Sequence, residues 1–394
     1  MLKKKFKFNF KKYDFIFDLA LLLIIFISLY MGITYSTYHT DPWHWGVIVG
    51  GVIDYINGFS LFKDIHVLYG PGQIIFLKFI NNFYSIDYFS IGVVTSIIYV
   101  SNLILIYFIS KKISNKFTAF VIILIFFLLS NYAQTPWPDF YAGLCITSSI
   151  FFLNLGRSSK KYLIFASLFL ILSITFRTTY LYTIISGILI YLIFTKILKI
   201  NLSNHIKYFF IYSFYFLVLY LLLIAINQNF ELWIEQGILI TSSLIEDKYI
   251  YNFDISYIYI LIKFIYHFIF PSKLENFYFL LLFISSFGFL FFLLKKKSLN
   301  FKIIEQNNIL FFFILALAGL IQSIYQNDVF RNLMSCVSIF IVFTYLINFL
   351  NKKEKTFVYL IIVLCLIPLI PKNFTESKVN IFPNIGYVDK NNSL

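Results

Sequence analysis

Apolar residues run along this chain in blocks of about 20, the length a helix needs to cross a hydrocarbon core. The blocks fall near 15–30, 88–109, 117–132, 139–155, 162–178, 180–197, 207–226, 276–294, 308–325, 332–350 and 356–371. This pattern predicts an all-α polytopic membrane protein with eleven spans. The start, MLKKKFKFNFKKY, is basic and leads into the apolar run from Phe15 to Tyr30. No small-residue cleavage site follows that run, so it reads as an uncleaved first span.

The polar connections between blocks carry a directional signal. Lysines collect in 110–116 (SKKISNK), 156–161 (GRSSKK), 196–207 (KILKINLSNHIK), 295–302 (KKKSLNFK) and 351–355 (NKKEK). Short basic loops stay on the cytoplasmic side. The run 253–270 tests this rule, because if it crosses, the lysines of 295–302 fall outside. It also carries Lys263 and His267 among aromatics, as an interfacial helix does. The expectation is therefore that 253–270 lies in the interface, with the N-terminus cytoplasmic and the C-terminus outside. Residues 1–371 form one transmembrane domain, and 372–394 form a tail too short to fold alone.

Composition sharpens the class. The 394 residues are 60% hydrophobic and 13% charged, against about half and a quarter in a soluble domain. A net charge of +14 could suggest nucleic acid, but lysines pooled in cytoplasmic loops account for it, and no nucleic-acid partner is expected. Cys145, Cys336 and Cys365 lie in apolar runs without pairing spacing, and read as buried small hydrophobes.

With this orientation the remaining polar residues gather on the outer side. The first outer loop, 35–84, is the richest. It holds Asp41, Asp54 and Asp64, His39, His44 and His66, and a Gly-Pro-Gly turn at 70–72. Within it, 46–57 and 73–84 are apolar but too short to span, and predict two helices at the membrane surface joined by a turn-rich link. Asp41 sits just before the first of them. A carboxylate there can be partly desolvated and still face water, as a general base requires. It can equally cap the helix that Pro42 begins.

A basic N-terminus, one span and a long outer loop opening on an acidic residue resemble the GT-C fold glycosyltransferases. More narrowly the chain resembles the bacterial polyprenyl-phosphate-sugar-dependent enzymes related to protein mannosyltransferases and the lipid A aminoarabinose transferase. The elements that carry the likeness are Asp41, Gly58, Asp64 and Gly70-Pro71, in DPWHWG…NGFSLFKD…YGPG. The resemblance makes Asp41 the catalytic base and offers Asp139, in TPWPDF, as a second acidic residue, with Asp64 a further candidate. Two features depart from the family: Pro42 stands where many relatives have a second acidic residue, and where many carry a large soluble C-terminal domain the sequence has 23 residues after Pro371.

Sugar transfer outside the cytoplasm lacks nucleotide sugars, so the donor is expected to be a polyprenyl-phosphate-linked sugar and the acceptor a glycan, lipid or protein. Arginine's planar fork suits phosphate, and only Arg157, Arg177 and Arg331 occur. Arg157 is explained by orientation. Arg177 and Arg331, near outer span ends, are the expected phosphate ligands, with Lys63 and His66 as further candidates. His44, Trp43 and Trp137 are candidate sugar or acceptor contacts, although aromatic belts place tryptophan there anyway. No histidine–carboxylate spacing specifies a metal, and no cofactor is expected, although the resemblance leaves a divalent cation open, since some relatives need one and others do not. Glu231, Glu235, Glu246 and Asp247 lie on a long outer segment whose spacing specifies nothing. The expected activity is inverting glycosyl transfer on the extracytoplasmic face of the cytoplasmic membrane. The rival readings are a transporter or flippase, a glycan polymerase or ligase, and a non-catalytic scaffold. A transporter would show internal repeats and midplane polar residues, whereas no repeat is visible here.

Overall fold

The computed structural model describes residues 14–38, 42–67, 69–130, 137–156, 159–226, 229–239, 256–271, 274–295, 303–323 and 329–369. These residues are helical almost throughout, and among them the only β-type pairing is an isolated bridge between Leu61 and Ile65. Helix α1 is Asp14–Tyr38. In the first loop, α2 is Pro42–Ile56 and α3 is Pro71–Asn81, so the two short helices expected there are present. There follow α4 (Tyr88–Ile113), α5 (Lys116–Ser130), α6 (Pro138–Leu155), α7 (Lys161–Phe176), α8 (Tyr180–Ile197) and α9 (Asn204–Ile226). A short α10 (Phe230–Ile234) runs into a π-helical turn, Glu235–Leu239. The rest is α11 (Ser256–Ile269), α12 (Leu274–Lys295), α13 (Ile303–Gly319), a 3-10 turn Leu320–Ser323, α14 (Val329–Ser335), α15 (Ser338–Phe349) and α16 (Lys352–Leu366).

The helix starts follow local chemistry. Asp87 caps α4 by accepting from Ser90 N at 2.7 Å, and the Ser90 hydroxyl accepts in return from Asp87 N at 2.7 Å, a reciprocal capping box. Asn351 caps α16 in a similar way, accepting from Glu354 N at 3.1 Å while Glu354 accepts from Asn351 N at 2.8 Å. Pro71 and Pro138 open α3 and α6, where proline's missing N–H costs nothing.

Four described helical stretches are long and apolar enough to cross a bilayer: Phe15–Thr34, Phe89–Ile113, Tyr180–Ile197 and Asn204–Ile226. Several of the other expected spans are shorter apolar helices, among them Lys116–Leu129, Lys161–Phe176 and Ser338–Phe349. Among the described residues, four of the eleven expected spans are thus candidate crossings by length and composition, and the count of eleven is not reached. One expected span, 332–350, is interrupted. At Cys336-Val337 the backbone tightens to i→i−3 bonds, Ile339 N to Cys336 O at 2.9 Å and Phe340 N to Val337 O at 3.2 Å. The expected spans at 308–325 and 332–350 meet here, because Gly319 lets the Ser335 carbonyl approach so closely that a Cβ would clash with it.

The exterior of the bundle is apolar. Leu22 on α1 and Phe214 on α9 are 61% and 65% exposed, with Leu189, Leu219 and Phe287 also outward. Large apolar side chains facing outward on several helices suit a hydrocarbon surround. Inside, one apolar core joins α1, α4 to α9 and α12 to α15. A second core, around Val52, Phe62, Val67, Leu77, Ile91 and Trp233, holds the first loop against α9 and α10. The loop is therefore a packed unit and no floppy spacer.

Groups of polar contacts mark both ends of the bundle, beside buried ones within it such as Asn102 to Met334 and Ser167 to the Phe209 carbonyl. At one end Asp18 of α1 meets Lys116 at 2.5 Å and the Tyr107 hydroxyl at 2.9 Å. There too Thr118 meets Tyr359 at 2.7 Å, His205 meets the Leu153 carbonyl at 3.1 Å, and Asn307 accepts from Tyr191 at 2.7 Å. These bonds bring together the connections that follow α4, α6, α8 and α15. The opposite end carries the first loop, the starts of α6, α8 and α14 and the ends of α7 and α13.

Candidate functional site

The site is built on the antiparallel hairpin α6–α7. Trp137 precedes α6 in an extended conformation, Pro138 begins the helix, and Asp139 stands in its first turn. Arg177 is the residue that ends α7. A carboxylate at a helix N-terminus and a guanidinium at a C-terminus are each favoured by the helix dipole. Here the two face each other across the open end of the hairpin, with Arg177 Nη1 donating to Asp139 Oδ2 in a close ion pair. Asp139 is fully buried and Arg177 nearly so. Tyr180, at the start of α8, is fully buried close to this pair.

The first loop docks onto this hairpin end. An added Cβ at Gly70 would lie 2.5 Å from the Thr175 carbonyl oxygen, and one at Gly72 would lie 2.7 Å from Thr175 Oγ1. Only glycine permits so close an approach, which is the physical content of the Gly-Pro-Gly turn. Thr178 then donates twice, from N and from Oγ1, to the Tyr69 carbonyl, each at 2.7 Å. The π-helical turn adds a second clamp. Gln236 donates to the Phe62 carbonyl at 2.5 Å and accepts from Val67 N at 2.9 Å, while Gly237 packs on Thr178.

Aromatic rings link the two arginines. Arg331 of α14 stands 5.0 Å from the Trp137 ring centroid, Trp137 meets Tyr69 edge-on at 5.7 Å, and Arg177 stands 5.9 Å from the Tyr69 ring. Contacts of this geometry attract a guanidinium to a ring face. On its far edge Arg177 donates from Nε to Thr179 Oγ1 at 3.1 Å, and Thr179 Oγ1 donates to Gln322 Oε1 at 2.6 Å. The described charged groups here are the guanidiniums of Arg177 and Arg331 and the carboxylate of Asp139, set against the Trp137 and Tyr69 rings. Such a place suits an anion flanked by flat apolar surfaces.

The expected site residues separate into three groups. Trp137, Asp139, Arg177 and Arg331 are brought together, around the Gly70–Gly72 turn. Lys63, Asp64 and His66 are exposed on a tight turn. Asp64 Oδ2 accepts from Ser60 N at 2.9 Å there, and Phe62 takes the left-handed φ of 69°. This turn is held by Gln236, not by the arginines. Asp41 lies outside the described residues, as do Arg157, Glu246 and Asp247. Trp43 and His44 lie within α2, with side chains outside the description, and Glu231 and Glu235 are exposed. Among the described residues no three His, Cys, Asp or Glu side chains gather as a metal set.

Sequence reasoning missed Tyr69, Thr179, Tyr180, Gln236 and Gln322. A signal existed for Gln322, a lone amide inside an apolar run, because intramembrane polar residues carry a functional expectation. The others are visible only once distant segments meet.

Fold and site together define an all-helical protein with an apolar exterior, helices able to cross a bilayer, and a buried charge cluster at one end. No protein family matches the chain, and no curated protein sequence matches it either.

Proposed function

We propose that this protein is an integral-membrane inverting glycosyltransferase that takes a sugar from a polyprenyl-phosphate donor. The observation that supports the reading most is the convergence of Arg177, Arg331, Trp137 and Asp139 on the first-loop turn Gly70–Gly72. Cations with aromatic surface at a bundle end suit a phosphate whose tail lies in lipid. The side opposite the basic connections is then extracytoplasmic. On that reading 253–270 does not cross, and the lysines of 295–302 stay on the cytoplasmic side.

In the proposed reaction an acceptor hydroxyl attacks the anomeric carbon as the bond from that carbon to the phosphate oxygen breaks. The hydroxyl proton passes to the carboxylate of Asp41, and polyprenyl phosphate leaves with the bonding pair. Arg177 and Arg331 are the ligands for the leaving phosphate, with Arg177 also held by Asp139. Stabilising that leaving charge is the larger contribution, and a general base adds about 10²–10⁴-fold.

The test is reconstitution in liposomes with radiolabelled sugar on short polyprenyl phosphates. Release of polyprenyl phosphate with transfer of the label, lost in Arg331→Ala and partly kept in Arg331→Lys, is expected. Passage of the intact lipid across the bilayer without cleavage would identify a flippase instead.

A further inference from the structure

The hydrogen bonds on the far side of Arg177 form a chain whose polarity is determined at every link. Nε of a guanidinium only donates, so at 3.1 Å the Thr179 hydroxyl oxygen must accept from it. The Thr179 proton must then go elsewhere, and the oxygen 2.6 Å away on Gln322 is its acceptor. The Gln322 amide cannot be turned round. Its nitrogen stands 3.0 Å from the Thr179 carbonyl and 2.7 Å from the Thr183 hydroxyl, and a flipped amide would set oxygen against that carbonyl. Gln322 is itself buried and sits on the 3-10 turn that ends α13. That turn follows Gly319, which lets α13 approach the α14–α15 break.

We propose that Gln322 is a positioning residue for Arg177. Its amide holds the Thr179 hydroxyl as an acceptor, which occupies Nε and turns the guanidinium edge toward Asp139 and the Tyr69 ring. Through this amide the end of α13 sets the orientation of an arginine at the end of α7. The geometric role stands on the hydrogen bonds alone, and only its bearing on phosphate recognition rests on the function proposed above.

With three arginines in the chain, full-length protein in lipid nanodiscs labelled with ¹⁵N-arginine should give three Nε–H signals, assigned by Arg157→Lys, Arg177→Lys and Arg331→Lys. The Arg177 signal is expected to be protected from exchange with water. Gln322→Met and Thr179→Val should each speed that exchange by roughly tenfold, the scale of one lost hydrogen bond. Thr179→Ser should restore it, and the other two signals should not move. An unchanged Arg177 signal in folded Gln322→Met overturns the proposal. Should that variant not fold, Thr179→Val decides, because an unchanged signal there removes the relay and with it the role of Gln322. Addition of citronellyl phosphate separates the two readings. If it moves no arginine signal while the variants behave as stated, the positioning role holds and the donor assignment falls.

Discussion

Asp139→Asn isolates the energetics of the buried pair. The substitution keeps the volume of the side chain and an oxygen that can accept from Arg177 Nη1, but removes the charge. Arg177 is then left 7% exposed with no described carboxylate beside it. Removing one partner of a buried pair costs about 3–5 kcal/mol, because the other charge stays desolvated. The helix dipole at the start of α6 withdraws a further 0.3–1 kcal/mol or so. The retained hydrogen bond offsets part of both, so about 3 kcal/mol is expected, or roughly a hundredfold in the unfolding equilibrium. Replacing both partners, in Asp139→Asn with Arg177→Met, removes the stranded charge and should recover stability to within about 1 kcal/mol of the parent. Equilibrium unfolding in mixed micelles, followed by far-UV circular dichroism, measures all four corners of the cycle. A cost below about 1 kcal/mol for Asp139→Asn, or a double variant as unstable as the sum of the singles, would mean that Arg177 reaches water and that the pair does not hold the hairpin end.

Three further outcomes are expected. Gly70→Ala places a Cβ 2.5 Å from the Thr175 carbonyl, so it should destabilise by about 1–3 kcal/mol and raise proteolysis of the first loop, whereas Gly46→Ala, with nothing within 4 Å, should do neither. Asp41→Asn keeps a helix-capping oxygen but cannot take a proton, so in the liposome assay turnover should fall by about 10²-fold or more while donor binding persists; full activity would remove Asp41 as the base. Ser298→Cys should resist labelling by a membrane-impermeant maleimide in intact cells, and strong labelling would reverse the inferred sidedness of the 295–302 connection.

Apolar run length was enough to place nearly every helix. The runs at 88–109, 139–155 and 180–197 return as α4, α6 and α8 within a few residues, because twenty apolar residues in a row can satisfy their backbone in lipid only as a helix. The caps of α4 and α16 and the proline starts of α3 and α6 were equally local. The grouping of Trp137, Asp139, Arg177 and Arg331 on one end agrees with the expected alternation of spans, which puts those span ends on one side. Pairing was a different matter. Arg177 read as a ligand awaiting phosphate, yet its nearest charge is Asp139, 38 residues away in the chain. The break at Cys336-Val337 is invisible in a run that stays apolar, because it answers to Gly319 on another helix. Gln322 and Gln236 are single amides whose sequence neighbours say nothing of Thr179 or of Phe62 and Val67. Helix formation is a property of consecutive residues, so the sequence determines it alone. Which buried charge is neutralised, and by what, depends on a desolvation cost that exists only after distant segments have packed and excluded water, so the tertiary structure alone decided it.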